Sequence, residues 1–299
     1  MDAVLSTLAK RFADTWLTML VLPGLLYAAA LMVGHAAGHR HALDGARVRA
    51  SLESLGQSVQ KSGSAGTVLL LAGVVAISAV AVYAARSLGA AVQWLWLGGW
   101  GGADSWLVQR RRTRWDALQQ RYATQLLALD AGTHSPEDQE RRTLGELAAA
   151  RNRIALARPL RPTWIGDRFA GVEARVWAEY HVDLSFGWTR LWLVLPEETR
   201  AECATTRAAF DAAGGLAGWG VLYLVLGCWW WPAAVIAPVL IVLAWRRGRQ
   251  TAAAFSELIE SVVDVHGGDL AARLAVADGQ QPLDSTVGAR ITARTRKDA

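Results

Sequence analysis

Three long apolar stretches constrain this chain more than any other feature. Thr15 to Val33, Thr67 to Ala85 and Ala212 to Trp245 run without an Asp, Glu, Lys, Arg or His. About twenty such residues match the hydrocarbon thickness of a bilayer, where a backbone must satisfy its own hydrogen bonds. Each stretch therefore predicts membrane-spanning helix, and the expected fold class is an all-α integral membrane protein. The third block, about 34 residues, is too long for one ordinary span at 1.5 Å per residue. Trp229-Trp230-Trp231-Pro232 divides it, which predicts a tight hairpin and brings the count to about four transmembrane helices. One long tilted helix is the alternative.

The first span follows Lys10 and Arg11. Its apolar length, about 19 residues, exceeds the roughly 7–15 of a signal-peptide core, so an uncleaved anchor is expected. Pro23-Gly24 sits inside it. Proline removes a backbone donor and clashes with the preceding turn, so a kink is predicted at Pro23. After the second span, Ser87 to Trp106 holds Trp94, Trp96, Trp100 and Trp106 and no charge until Asp104. Tryptophan prefers the headgroup level. The segment reads as interfacial, or as an extension of the second helix. Trp94, Trp96, Trp100, Trp229, Trp230, Trp231 and Trp245 are the expected interfacial anchors.

Basic residues near the span ends set the orientation. Lys10, Arg11, Arg86 and the clusters at 110–114 and 246–249 fall on one face, against Arg40, Arg47, Arg49 and Lys61 on the other. Both termini and the central region are therefore expected to be cytoplasmic, in a bacterial inner or plasma membrane. The expected organisation is an N-terminus and first span (1–35), an outer loop (36–66), and a second span with its Trp-rich segment (67–106). A cytoplasmic helical domain (107–211), a transmembrane hairpin (212–245), and a cytoplasmic helix with a disordered basic tail (246–299) follow.

The composition agrees: 53% of residues are hydrophobic and 19% charged, against roughly 25% charged in soluble domains. The net charge of +5 is assigned to the flanks of the spans. No basic stripe interleaved with stacking aromatics occurs away from them, so no nucleic-acid partner is expected. Two cysteines exclude a disulfide framework and a cysteine zinc site.

Between the spans, Trp115 to Leu129 carries apolar residues at helical spacing, and Ser135-Pro136-Glu137-Asp138 is a strong helix start. The two helices predict an antiparallel hairpin ending near Leu156. Thr163 can cap a helix from Trp164 to Tyr180. A short element near Phe186 to Leu195 follows, and Pro196-Glu197-Glu198 opens a helix with no breaker before Gly214. Beyond Arg249, Phe255, Leu258, Ile259, Val262 and Val263 form a stripe opposite Glu257, Glu260 and Asp264, and Gly267-Gly268 is expected to end that helix.

The run from Arg161-Pro-Thr-Trp-Ile-Gly-Asp-Arg through Tyr180-His-Val-Asp-Leu to Trp188-Thr-Arg-Leu-Trp-Leu-Val-Leu-Pro-Glu, together with Val263-Asp-Val-His266, resembles an uncharacterised family of multi-pass bacterial membrane proteins of actinobacterial type. The resemblance implies the four-span architecture and supplies no catalytic residues.

His35 and His39 are one helical turn apart, but no carboxylate or cysteine stands at a helical offset until Asp44. Asp264, His266 and Asp269 flank the expected helix stop. Neither set predicts a metal site, and no cofactor is expected. No G-x-S-x-G, H-E-x-x-H or Walker pattern occurs, so no enzymatic activity is expected. Asp167, Arg168, Glu173, Arg175, Asp183 and Arg190 are the candidate partner-binding set, set among aromatics; the competing expectation is that they pair within the chain. Gly214 and Gly218 form a small-xxx-small pattern that lets helices approach closely, inside the chain or in a homo-oligomer. The functional expectation is a membrane-anchored scaffold or sensor whose cytoplasmic helices bind a protein. The alternatives are an oligomeric pore, with Ser78 as a lining residue, and a membrane-embedded enzyme.

Overall fold

The computed structural model describes residues 22–61, 63–102, 104–130, 138–278 and 281–297. Those residues are helical, with no strand among them. Ten helices follow in order. They are α1 (Leu22–Ala37), α2 (Gly45–Lys61), α3 (Gly63–Leu97), α4 (Ser105–Asp130) and α5 (Asp138–Ile154), then α6 (Trp164–Tyr180), α7 (Leu184–Val194), α8 (Glu197–Gly227), α9 (Trp231–Arg273) and α10 (Ser285–Arg296). Three of them, α3, α8 and α9, are long and apolar enough to cross a membrane; α1 is a shorter apolar helix. Much of the first expected span, with Lys10 and Arg11, lies outside the described residues. So do the turn before Pro23, where the kink is expected, and the Ser135–Glu137 helix start.

The chain divides into two compact units. The first comprises the described residues of Met1–Val92 together with Asp211–Arg247. Here α8 and α9 turn back on each other through residues 228–230: Gly227 lies against Ala234, and Gly220 against Ile241 and Ala237. This is an antiparallel hairpin, and Trp229-Trp230-Trp231 mark its turn. The α3 helix runs antiparallel to α8, with Ala85 beside Gly218 and Gly89 beside Gly214. The α1 helix packs on α3 at Gly24 and Ser78, and runs parallel to α8. Tyr27 donates to the Leu222 carbonyl at 3.3 Å, and Gly34 meets Leu226 and Trp230. The loop after α1 folds onto the hairpin turn. His39 Nε2 lies 2.8 Å from the Cys228 carbonyl oxygen, and Trp230 donates its indole N–H to the Ala42 carbonyl.

Side-chain size sorts this unit in an unusual sense. The interior is a seam of small residues: Ala28, Ala81, Ala85, Ala213, Ala217, Ala233, Ala237 and Ala244 are all buried. Large aliphatic side chains point outward, including Val68, Leu69, Val75 and Val80, each at least 65% exposed. In water such a surface would be strongly unfavourable.

The second unit comprises Gln93–Phe210 and Gly248 onward. The α4 and α5 helices pair antiparallel. Trp115 donates to the Ala155 carbonyl, and Arg151 donates to Gln119 and lies over the Trp115 and Tyr122 rings. A buried apolar core joins Val172 and Val176 of α6, Leu191 of α7, Cys203 of α8, Val262 and Val263 of α9, and Val287 and Ile291 of α10.

Four expectations are corrected here. The tail is helical over 285–296: Asp284 caps α10 by accepting from the Val287 N–H at 2.8 Å, and Val287, Gly288, Ile291, Thr292 and Thr295 form a buried face. Gly267-Gly268 does not end α9, which continues to Arg273 and stops where Ala275 adopts φ 53°. A Cβ on Gly267 would meet the tip of the Leu283 side chain, so this face of α9 packs on residue 283. Trp96 is no interfacial anchor: it is 9% exposed and packs on Phe210 and Gly248. Finally, α4 begins at Ser105, ten residues before Trp115, so the Arg110–Arg114 run is helical. Of the remaining tryptophans, Trp94, Trp229 and Trp231 are exposed, while Trp100, Trp230 and Trp245 are half-buried.

Candidate functional site

The candidate polar set lies in the second unit, on α6 and α7. Thr163 caps α6 as expected, accepting from the Gly166 N–H at 2.9 Å; its hydroxyl donates to the Trp96 carbonyl. Asp167, in the first turn, faces inward. Its Oδ1 accepts the Leu160 and Arg161 N–H groups at 2.7 Å each, and its Oδ2 pairs with Arg111 at 2.6 Å. Arg111 also donates to the Ile154 and Arg161 carbonyls, and Arg112 donates to the Pro159 carbonyl. The Arg111–Asp167 pair thus holds the irregular segment between α5 and α6. Burial is the largest influence on both groups. It pushes the Asp167 carboxyl above its ordinary value and the Arg111 guanidinium below its own, against the pull of their pairing.

Four of the other five candidates also have partners from other secondary-structure elements. Arg168 pairs with Glu257 at 2.8 Å, Arg175 binds both oxygens of Glu260 at 2.8 and 2.6 Å, and Tyr180 donates to Asp264 at 3.0 Å. The sequence separations are 89, 85 and 84, so α6 runs parallel to this part of α9. Trp164, at the head of α6, has the Arg168 and Arg249 guanidinium groups over its ring, at 5.4 and 4.3 Å. Glu173 accepts from the Ser185 hydroxyl at 3.3 Å. Asp183 caps α7 through the Ser185 N–H and binds Arg296 of α10. Arg190 differs: its guanidinium donates to the Phe186 carbonyl of its own helix.

These pairs predict an acid sensitivity. The hydrogen bond from Arg175 holds Glu260 below its ordinary carboxylate range. For Asp183 burial acts upward, but Arg296 and the Ser185 and Phe186 amides outweigh it and bring the carboxyl down. A depressed carboxylate contributes stability that is present above its unfolded pKa of about 4 and lost as pH falls through the folded value. Asp167, shifted upward, acts in the opposite sense. The difference in melting temperature between wild type and the Glu260→Gln/Asp183→Asn variant is therefore expected to be constant from pH 7 to about 5 and to shrink below about 4. Partly exposed pairs contribute about 1 kcal/mol or less each. A difference independent of pH would contradict this assignment.

The remaining candidates resolve individually. Gly214 and Gly218 are used within the chain against α3. Ser78 is 6% exposed, under Gly24. His266 sits 3.1 Å from Asp269 on the same helix, and no His, Cys, Asp and Glu cluster able to hold a metal occurs among the described residues. The sequence assigns no role in this site to Arg111, Arg296 and Thr292, and marks Glu257, Glu260 and Asp264 only as the face opposite an apolar stripe. The acids stand at i, i+3 and i+7, whereas Arg168, Arg175 and Tyr180 stand at i, i+7 and i+12, so no shared spacing signalled the ladder. No protein-family model, curated protein or solved structure matches this chain.

Proposed function

We propose that this chain is a four-span protein of a bacterial plasma membrane, acting as an anchored scaffold or sensor through its second unit. The observation that carries the reading is the inverted sorting of the first unit, with alanines and glycines inside and large aliphatic side chains outside. Lipid offers no hydrophobic drive to bury large side chains between helices, so close backbone packing of small residues favours association there. The hairpin supports two spans in the third block, and the contacts of residues 39 and 42 with 228 and 230 support a common side for the first loop and the hairpin turn. With basic clusters flanking the opposite span ends, both termini and the charged unit are assigned to the cytoplasm. Tied-down charges on α6 argue for a rigid platform rather than a catalytic centre.

The test is fractionation followed by purification in mild detergent. The protein should stay with membranes through an alkaline carbonate wash and carry a stoichiometric soluble partner, released by Arg190→Glu. Arg168→Glu is a poor probe, because it breaks the Glu257 pair. Extraction by carbonate would contradict the anchor, and a bare monodisperse protein would contradict the scaffold.

A further inference from the structure

The second unit has an open basic cleft whose cations have no carboxylate partner among the described residues. It occupies about 930 Å³ and is lined by Arg190 of α7, by Arg290, Arg294 and Lys297 at the end of the chain's last described helix, and by Leu274 and Val276. No carboxylate lines it among the described residues. Arg290 and Arg294 stand one turn apart on α10, and Lys297 follows as its left-handed C-cap residue. Favourable interaction with the negative C-terminal end of α10 accounts for Arg294 and Lys297. It does not account for Arg290, nor for Arg190 arriving from another helix. Elsewhere in the unit the arginines of α6 find carboxylates: Arg168 takes Glu257 and Arg175 takes Glu260.

We propose that this cleft binds a soluble, multiply charged phosphate compound. Resting on the membrane reading above, the proposal names the ligand class that the anchored unit senses. Four cations in one concavity match a di- or triphosphate better than a single carboxylate, and arginine forks suit phosphate oxygens. The volume lies in the range of small-ligand sites. No aromatic side chain lines the cleft among the described residues, which leaves it without the stacking platform of a single-stranded nucleic-acid site there. A lipid headgroup carries the same phosphate chemistry, and nanodiscs of anionic lipid separate it from a free compound.

The experiment titrates inorganic triphosphate into the full chain in uncharged detergent and in nanodiscs, by calorimetry at low salt. One site per chain is expected. Arg290→Glu/Arg294→Glu should weaken binding at least about tenfold, Arg190→Gln by a smaller factor, and the control reversal Arg141→Glu/Arg142→Glu by less than about twofold. Unchanged melting of each variant secures the comparison, and Arg294→Gln replaces the double reversal if that variant fails to fold. Absence of binding, or equal loss in the control, overturns the proposal. So does occlusion of the site in nanodiscs of anionic lipid, which assigns it to headgroups, or tighter binding of a short DNA duplex. Membrane retention of the same preparation decides the anchor separately.

Discussion

Gly218→Leu is expected to dismantle the first unit. The backbones of α3 and α8 touch at this point, and any Cβ on Gly218 would overlap the Ala85 carbonyl oxygen and press on the Gly89 nitrogen. Backbone cannot yield as a side-chain tip can, so the helices must part and the alanine seam must open. A cost of about 3 kcal/mol or more is expected, at the upper end for overpacking. Gly215→Ala, three residues away with nothing within 4 Å of its added Cβ, should be tolerated. The readout is monodisperse elution and protease resistance in mild detergent. Because the Gly214–Gly218 face is filled by α3 of the same chain, the variant reports on folding rather than on self-association. Equal behaviour of the two variants would contradict the crossing.

Asp167→Ala is expected to have the largest effect in the second unit. It strands the Arg111 guanidinium, whose side chain is 17% exposed, and orphans the Leu160 and Arg161 amides. Breaking a buried pair from one side costs about 3–5 kcal/mol, whereas replacing both partners by apolar residues of similar volume is often close to neutral. Asp167→Leu/Arg111→Met should therefore recover the part of the loss due to the stranded charge, while the Leu160 and Arg161 amides stay without their acceptor. Thermal unfolding measures the stability, and hydrogen exchange at Leu160 and Arg161 localises it. A single variant as stable as the wild type would remove the pair from the account.

The parts of the fold legible in sequence were those written in local chemistry. Thr163 before Trp164, and Pro196 before two acids, mark helix starts that the structure places within a residue. The aromatic-proline cluster at 229–232 marks the hairpin turn. What escaped depended on partners distant in the chain. The apolar face of α10 rests on two large residues, Val287 and Ile291, and is completed by Gly288, Thr292 and Thr295, so hydropathy showed only a polar tail. Gly288 is required there because Tyr180 presents its carbonyl oxygen where a Cβ would stand, and Thr292 bridges the His181 carbonyl and the Asp183 N–H. Gly267-Gly268 carried a local helix-stop signal, but α9 continues through both glycines to Arg273. The six polar candidates were found as a group, but their roles were set by Arg111, Glu257, Glu260 and Arg296, which lie far from them in sequence.

The central claim is that the hairpin of α8 and α9 spans a membrane with its turn on the outer side. The two native cysteines test it without engineering a probe: Cys228 is exposed at the turn, and Cys203 is buried in the second unit. A membrane-impermeant maleimide applied to intact spheroplasts should label Cys228, lose the signal in Cys228→Ser, and leave Cys203 unmodified until the protein is unfolded. Labelling of Cys228 only in lysed cells or inverted vesicles would place the turn in the cytoplasm and contradict the four-span account.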